Sequence, residues 1–577
     1  MNEFLDQLLK FLSNFFGTPA ILIGLFALIG CLLQHKKASE TITSVFKTII
    51  GFLIIGGGAA LVGTSIGAFS SAFDLLFNRD GWIANNDVIP GILLAMDNMA
   101  WVASCGSLIL IFGMLLNLVL AKLSGFKFVY LTGHSAWYFS TMMASVMVAA
   151  GLNNKVDMWQ IVLCGSLLVS IWMVIQPQLL QKHMNIITTN QPISLAHTGG
   201  LGYFASGVVG NLVFRIKKGN VKSTESINFP KGLGFLRNTN VSIALTMLFL
   251  FCVVYFTCWG VRGTEAMVNA GIVKNSDSVI VSGIVMAFTF AAGVEVILIG
   301  VRMFIAELTP AFKGIAEKLI HGSRPAVDCP VVFPFAPNAV IIGFIASMIG
   351  GIICFGINIG IAGSLPSYST WAIVVIPSIV PHFFTGATAG VFGNAKGGIW
   401  GCIVGAFVNG IIISIVPYLF IGSGAYVWNV HVIWGDADFI LGFVPFLLVK
   451  YATRWSLLVF ALIIWGLLPL SHLISHKRKM KNIIYKNAYL QLNNLYRQKK
   501  REYKTIWLEY KTKIKAINLE IKNSDSSHKT EAVVQKQQTV TEFNKQIRIM
   551  DKTYDSRLEP VWLTINTFGK ISKETKK

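Results

Sequence analysis

Long apolar stretches, separated by short polar connections, make up most of this chain. Each has about 20 or more residues, enough to cross a hydrocarbon core of roughly 30 Å as a helix. The pattern therefore predicts an all-α polytopic membrane protein with about eleven transmembrane helices. We place them at 12–33, 48–76, 99–121, 127–151, 157–177, 241–260, 279–305, 331–360, 371–392, 398–421 and 455–473.

Several apolar stretches depart from the form of a simple span. Those at 88–96, 201–214 and 439–449 are too short to cross, so we expect re-entrant or interfacial segments there. The long stretches 48–76 and 331–360 are rich in Gly or Pro, and we expect both to be bent or broken. Lipid tolerates irregular backbone only where protein or a water-filled cavity covers it. These segments therefore predict an internal cavity.

Four polar motifs lie inside or beside the spans. They are 131–134 (LTGH), 196–203 (AHTGGLGY), 328–339 (DCPVVFPFAPNA) and 381–398 (PHFFTGATAGVFGNAKGG). Polar side chains at membrane depth normally face protein or water. Interrupted helices in both halves of a polytopic protein are typical of a transporter's binding site.

Two histidine motifs offer hydrogen bonds to a ligand. His134 and Tyr138 are four residues apart and share one helical face, which suits a hydroxylated ligand. A His bonded only to a backbone carbonyl is the alternative. His197, Thr198 and Gly199 precede a short apolar helix, where free backbone N–H groups favour an anionic or hydroxyl-rich ligand. A re-entrant turn with a capping Thr is the alternative there.

Acidic residues give two further candidates. Asp328, followed by Cys329 and Pro330, could accept hydrogen bonds from a sugar-like ligand, although Asp before Pro is also an ordinary helix start. Glu295 and Arg302 lie two helical turns apart, and we favour a buried ion pair over a proton relay.

Composition supports a membrane protein, with 54% hydrophobic and 13% charged residues. The eight Cys residues are scattered without a CxxC pair, and motifs for nucleotide hydrolysis or zinc are absent from the sequence. We therefore expect no cofactor, no metal and no nucleic-acid partner. The net charge of +21 is concentrated in the last hundred residues, where 477–577 hold 24 Lys or Arg against 10 Asp or Glu.

Basic residues also set the orientation of the spans. The connections 34–47, 122–127, 178–240 and 306–330 carry most of the Lys and Arg between spans. The positive-inside rule then predicts an external N-terminus and a cytoplasmic C-terminus. We divide the chain into a membrane domain, 1–473, and a basic, partly helical cytoplasmic tail, 474–577. Apolar residues at helical spacing predict one or two helices over 480–522 and another over 531–557.

Taken together, these motifs resemble the ascorbate-specific EIIC permease family of the bacterial phosphotransferase system. The resemblance runs from about Gly17 to Asp438. It is carried by 83–87 (IANND), 126–134 (FKFVYLTGH), Gln176-Pro177, 196–203, 309–320 (TPAFKGIAEKLI), 328–343 (DCPVVFPFAPNAVIIG), 381–398, 405–410 (GAFVNG) and 435–439 (GDADF).

The resemblance implies a homodimer in the bacterial inner membrane, with a core domain that binds L-ascorbate and a second domain that forms the dimer contact. A separate EIIB protein, charged by EIIA, would phosphorylate the sugar acid on the inner side. This chain would bind and translocate it, without a catalytic residue of its own. The tail contains no Cys and so cannot supply the phosphocysteine of a fused EIIB.

The resemblance also assigns substrate-binding residues. Two positions depart from the family pattern: Ser135 stands where a second His is usual, and Asp87 where Glu is usual. The residues implied in binding are Asn86, Asp87, Val88, His134, Tyr138, His197, Thr198, Gly199, Asp328, Cys329 and Pro330, with Asn338 and His382 as further candidates.

Two other functions fit the residues. A proton-coupled sugar-acid symporter would use Glu295, Asp157 or His382 to carry the proton. A non-transporting membrane scaffold would use the tail to recruit a partner, but it would leave the four polar motifs without a role.

Overall fold

The structure is a computed structural model that describes residues 19–227, 239–274 and 276–574. The described residues are largely helical and include six short strands: β1 (Gly81–Ala84), β2 (Phe128–Tyr130), β3 (Ser194–Leu195), β4 (Arg324–Val327), β5 (Val374–Ile376) and β6 (Val432–Ile433). The α-helices are Pro19–Leu33, Ala38–Phe77, Ile89–Ala95, Ala100–Ser124, Gly133–Ala149, Met158–Ile187, Gly200–Ile216, Thr239–Asn269, Val279–Leu319, Pro337–Ser364, Ile379–Pro381, Ala387–Ser423, Phe443–Tyr451, Arg454–Asn523 and Ser526–Glu574.

Eight helical stretches in the described ranges are long and apolar enough to cross a membrane. The prediction of a helical polytopic membrane protein is therefore confirmed. The predicted span 127–151 consists of β2 and a 17-residue helix, Gly133–Ala149. The predicted spans 371–392 and 398–421 largely coincide with one helical stretch, Ile379–Ser423. The start of the predicted span 12–33 lies outside the described residues.

Helix breaks occur at some of the expected places. A 3₁₀ helix, Cys329–Phe335, precedes the span Pro337–Ser364, and the long stretch turns at Gly398, whose φ of 59° and ψ of −150° are not helical. The expectation of a break within 48–76 is wrong, because Ala38–Phe77 is one helix of 40 residues. Its Gly58 instead brings the helix close to the backbone of Val279–Leu319 at Gly293 and Ile297.

The same order of elements occurs twice. A long helix, Ala38–Phe77 or Val279–Leu319, leads into a strand, a short helical segment, a span and a second strand. Between the second and third strands, the first copy has two helices, and the second copy has the stretch Ile379–Ser423, which turns at Gly398. The first copy contains β1, β2 and β3, and the second contains β4, β5 and β6. Internal repeats of this kind are typical of membrane transporters.

The two copies exchange strands to form two small parallel sheets. β1 pairs with β5 and β6, so that Gly81 lies opposite Val374 and Ile83 opposite Val432. β4 in turn pairs with β2 and β3, with Arg324 opposite Phe128 and Ser194 opposite Ala326. The first strand of each copy is thus the central strand of a sheet completed by the other copy. This pairing joins the two halves of the membrane unit.

Closely packed glycines hold the helices behind the sheets together. Gly210, on the helix Gly200–Ile216, contacts the backbone of Gly393. Across the turn at Gly398, Gly401 also contacts Gly393. A Cβ atom at any of these three positions would collide with backbone atoms, so the packing requires Gly.

The chain divides into two compact units, Met1–Pro469 and Leu470–Lys577. Within the second unit, the end of helix Arg454–Asn523 packs against helix Ser526–Glu574. Leu492, Met550, Tyr554 and Leu558 lie in its apolar core. The Lys499 Nζ lies 2.9 Å from Asp551 Oδ1, and this hydrogen bond raises the pKa of Lys499. Ser524 and Asp525 form a short break between the two helices.

Candidate functional site

Polar residues that line one cavity follow the carboxyl ends of five of the six strands. Asn86 and Asp87 follow β1, and His134 follows β2. His197 follows β3, Asp328 follows β4, and Asp436 follows β6. Together they surround a cavity of about 380 Å³. Its lining comprises Asn86, Asp87, His134, Tyr138, His197, Thr198, Leu298, Val301, Arg302, Asp328, Pro330, Val380, Pro381, Phe384, Thr385 and Asp436.

His134 and Asp328 form a polar pair across the two copies. His134 stands in the first turn of helix Gly133–Ala149, and its Nε2 lies 3.4 Å from Asp328 Oδ2. Asp328 Oδ1 accepts a hydrogen bond of 2.7 Å from the Cys329 N–H, which caps the following 3₁₀ helix. Asp328 therefore caps the helix with one oxygen and leaves the other beside the histidine.

The protonation of the His197 ring is fixed by its neighbours. The Gly199 N–H donates a 3.1 Å hydrogen bond to Nδ1, and the Tyr203 hydroxyl lies 2.7 Å from the same atom. A backbone N–H can only donate, so Nδ1 is an acceptor. In a neutral ring the proton then lies on Nε2. His197 thus offers a hydrogen-bond donor.

Two carboxylates hold the loop around His197, and our sequence reasoning did not name them as site residues. The Thr198 hydroxyl donates to the Asp436 carboxylate, and the Asp438 N–H donates to Thr198 O at 2.8 Å. Asp438 also accepts from the Leu201 N–H at 2.6 Å and from Trp172 Nε1 at 2.9 Å. The segment 435–439 thereby fixes the turn that enters helix Gly200–Ile216.

The loop after β1 closes another side of the cavity. Asn86 Oδ1 accepts a 2.7 Å hydrogen bond from the Gly435 N–H, which ties this loop to the end of β6. The neighbouring Asp87 N–H bonds to Asn85 Oδ1 at 3.2 Å. Both Asn86 and Asp87 line the cavity, as does Tyr138.

Five of the predicted site residues do not line this cavity. Val88 is buried at the start of helix Ile89–Ala95, Gly199 bonds to His197, and Cys329 is buried beside Asp328. Asn338 donates to the Thr224 and Ile227 carbonyls, and His382 Nδ1 pairs with the Ser347 hydroxyl at 2.9 Å. Their binding roles remain predictions.

The charges around the cavity are mixed. Asp87, Asp328 and Asp436 supply carboxylates, and Arg302 supplies a guanidinium, 4.0 Å from Glu295. Helices Gly133–Ala149 and Gly200–Ile216 begin at the cavity, and a helix N-terminus carries about half a positive charge. Carboxylates accept hydroxyl hydrogens, while His197 and the helix ends favour oxygen acceptors. This combination suits a small ligand rich in both hydroxyl and acidic oxygens.

The distances alone would permit a metal ion. Ligand atoms of His134, His197 and Asp328 all lie within 4.8 Å of one another. However, the Gly199 N–H occupies Nδ1 of His197 and leaves a protonated Nε2, which cannot coordinate a cation in that tautomer. The trio is better suited to hydrogen bonding with an organic ligand.

Comparison with known proteins identifies the family of this chain. Residues 14–438 match EIIC-GAT, the sugar-specific permease component of the phosphotransferase system (PTS). The chain belongs to this family.

A curated relative is similar to a large part of this chain. It is the ascorbate-specific PTS system EIIC component of Mycoplasma pneumoniae, 26% identical over 426 residues. The match covers 67% of this chain and 62% of the relative, so the chain spans less than two thirds of that protein's length. The matched region contains the strands and the cavity, and ends at Asp438 in the family comparison.

Proposed function

We propose that this chain is the membrane permease component of a PTS that takes up L-ascorbate or a close sugar acid. It binds the sugar acid in the cavity, and a separate EIIB phosphorylates it as it reaches the inner side. The observation that carries the proposal is the meeting of His134, His197 and Asp328 at the ends of strands from both halves. The EIIC family of the chain and the ascorbate transporter among its relatives support it.

The chemistry of the cavity fits a sugar acid. Ascorbate is a small monoanion with several hydroxyl groups at neutral pH. Asp328 and Asp436 can accept its hydroxyl hydrogens, and the His197 Nε2–H can donate to an acidic oxygen. The volume of about 380 Å³ lies in the usual range for a small-molecule site.

The proposal includes partners and an orientation. EIIA passes phosphate to EIIB, and EIIB passes it to the bound sugar acid. The protein works as a homodimer in the bacterial cell membrane, with the N-terminus outside and the tail in the cytoplasm. Lys and Arg concentrated in alternate connections support this orientation.

Reconstituted phosphorylation tests the substrate. The purified chain in liposomes is combined with EIIB, EIIA, the general PTS proteins and phosphoenolpyruvate, and a panel of sugar acids is supplied. We expect phosphorylated ascorbate, or the phosphate of one close sugar acid, to form only when the chain is present. Equal product without the chain, or product from neutral hexitols alone, would contradict the proposal.

A further inference from the structure

A second cavity lies beside the candidate site. It encloses about 280 Å³, and its walls are almost entirely apolar, including Phe139, Met143, Leu168 and Ile464. Well-packed interiors leave few voids of this size. The cavity lies between helix Met158–Ile187 and the span Arg454–Ser475, so an occupant would enter from the bilayer.

The mouth of this cavity faces outward. Ile175 is 40% exposed and Val444 is 37% exposed, and both line it. Only 11% of the most apolar part of the span Arg454–Ser475 is buried within the protein, so most of its surface is available to lipid. An alkyl chain from the membrane can therefore enter from the side.

One polar side chain in the wall lacks a partner. Gln176 is 4% exposed, and neither its amide oxygen nor its amide nitrogen has a hydrogen-bond partner among the described residues. A buried primary amide left unpaired is destabilising, and it offers both an acceptor and a donor. The motif Gln176-Pro177 has no role in the candidate site, whose lining does not include it.

The volume of the cavity and the polar groups in its wall limit which ligand can bind. A volume of about 280 Å³ holds roughly nine groups of the size of a water molecule or a methylene, which corresponds to one medium-length alkyl chain. The Asp438 side chain also lines the wall, but the Leu201 N–H and Trp172 Nε1–H already donate to its oxygens, and no Lys or Arg in the part of the chain that the structure describes lines the cavity to pair with an anionic head group. A hydroxyl can donate to the Gln176 oxygen and accept from its nitrogen.

We propose that this cavity binds a neutral single-chain lipid with a hydroxylated head, with the head on Gln176 and the alkyl chain between the two spans. The lipid site contacts the residues that follow the turn at 197–199 in the candidate sugar-acid site. Gln176 packs against Gly200, and Asp438 bonds to the Leu201 N–H. The lipid site itself does not depend on the identity of the transported substrate.

Photolabelling tests the site in nanodiscs that contain the full chain. The probe is a monoacylglycerol that carries a diazirine on its alkyl chain, and labelled peptides are mapped by mass spectrometry. A photoreactive alkane without a head group serves as the reference probe. We expect monoacylglycerol labelling to concentrate on the segments that line the cavity, within Met158–Ile187 and Phe443–Tyr451.

Three substitutions distinguish binding of the probe in the cavity from nonspecific contact with bilayer lipid. Leu168→Trp fills the cavity and should reduce its labelling by both probes at least fivefold. Gln176→Leu removes only the polar partner, so it should reduce monoacylglycerol labelling by about three- to tenfold and leave alkane labelling unchanged. Leu115→Trp is the matched control, since Leu115 is 41% exposed on helix Ala100–Ser124 and does not line the cavity.

Three results would overturn the inference. Labelling spread evenly over all lipid-facing helices would show that there is no site. Labelling that Leu168→Trp leaves unchanged would place the lipid elsewhere, and Ile464→Trp repeats this test from the opposite wall if the first variant does not insert. An equal loss of both probes in Gln176→Leu would show that the head group is not recognised.

Discussion

At the scale of single residues, Asp328 combines two roles that can be separated experimentally. Its Oδ1 caps a helix through the Cys329 N–H, and its Oδ2 lies beside His134 in the cavity. Asn caps a helix about as well as Asp but carries no charge. Substitutions can therefore remove the ligand-facing chemistry and keep the local fold.

His134→Ala should weaken ascorbate binding by about 10- to 150-fold, the effect of losing one hydrogen bond to a charged ligand. Isothermal titration with the purified protein measures this change. His321→Ala is the control, because the His321 side chain is exposed and does not line the cavity. Unchanged affinity in a correctly folded His134→Ala protein would remove His134 from the site.

Asp328→Asn should reduce ascorbate uptake at least severalfold while the thermal unfolding temperature stays close to that of the wild-type protein. The amide keeps an acceptor for the Cys329 N–H but offers a poorer acceptor for sugar hydroxyls. Uptake by cells and thermal unfolding in detergent measure the two effects. Full activity of Asp328→Asn would leave Asp328 with only its capping role.

The residues of the cavity were predictable to different degrees. His134, His197 and Asp328 were recognisable because polar side chains stand out in apolar spans, and the family resemblance added Asn86 and Asp87. Asp436 and Asp438 were part of the motif 435–439 that carries the family resemblance, but we assigned neither of them a role in binding. Two carboxylates, two and four residues after the apolar segment VIW (432–434), could have indicated a site.

At the scale of elements, the strands were hidden by their shortness. They contain two to four residues each, and β2 lies inside what hydropathy indicates as one span. Hydropathy measures apolar content and cannot distinguish a three-residue strand from a helix. The pairing of β1 with β5 and β6 joins residues about 290 to 350 positions apart, which periodicity along the chain does not encode.

Close glycine packing gives a prediction at this scale. Gly401→Ala should destabilise the protein by about 1–3 kcal/mol, because its Cβ would collide with the Gly393 carbonyl across the turn at Gly398. Gly356→Ala is the matched control, since a Cβ there meets nothing within 4 Å. Thermal unfolding of the two variants in the same detergent makes the comparison. Equal stability would contradict the packing.

At the scale of the whole molecule, the tail forms a unit by itself from Leu470 onward. Its core of Leu492, Met550 and Tyr554 lies entirely within that unit, and the family match ends earlier, at residue 438. The amphipathic pattern over 480–522 predicted helix there, but it did not show that this helix continues from the last span. The sequence changes from apolar to basic residues here without a helix-stop signal, so the pattern alone does not show whether the helix ends.

Removal of the tail after Ser475 should leave ascorbate binding intact and reduce phosphorylation-coupled uptake only in part. The tail has no Cys to carry phosphate, and the cavity lining includes none of the tail residues that the structure describes. Binding by the purified truncated protein and uptake by cells give the two readouts. Complete loss of binding by a stably inserted truncation would show that the tail belongs to the transport machinery.

If the proposed function is right, transport by this chain is coupled to phosphorylation of a sugar acid. The most direct measurement is the chemical form of ascorbate that accumulates in vesicles containing the chain. One sample contains EIIB, EIIA, the general PTS proteins and phosphoenolpyruvate, and the other has only an imposed pH gradient. We predict that ascorbate phosphate accumulates in the first sample and that nothing accumulates in the second. Unmodified ascorbate accumulating under the pH gradient alone would instead show that the chain is a proton symporter.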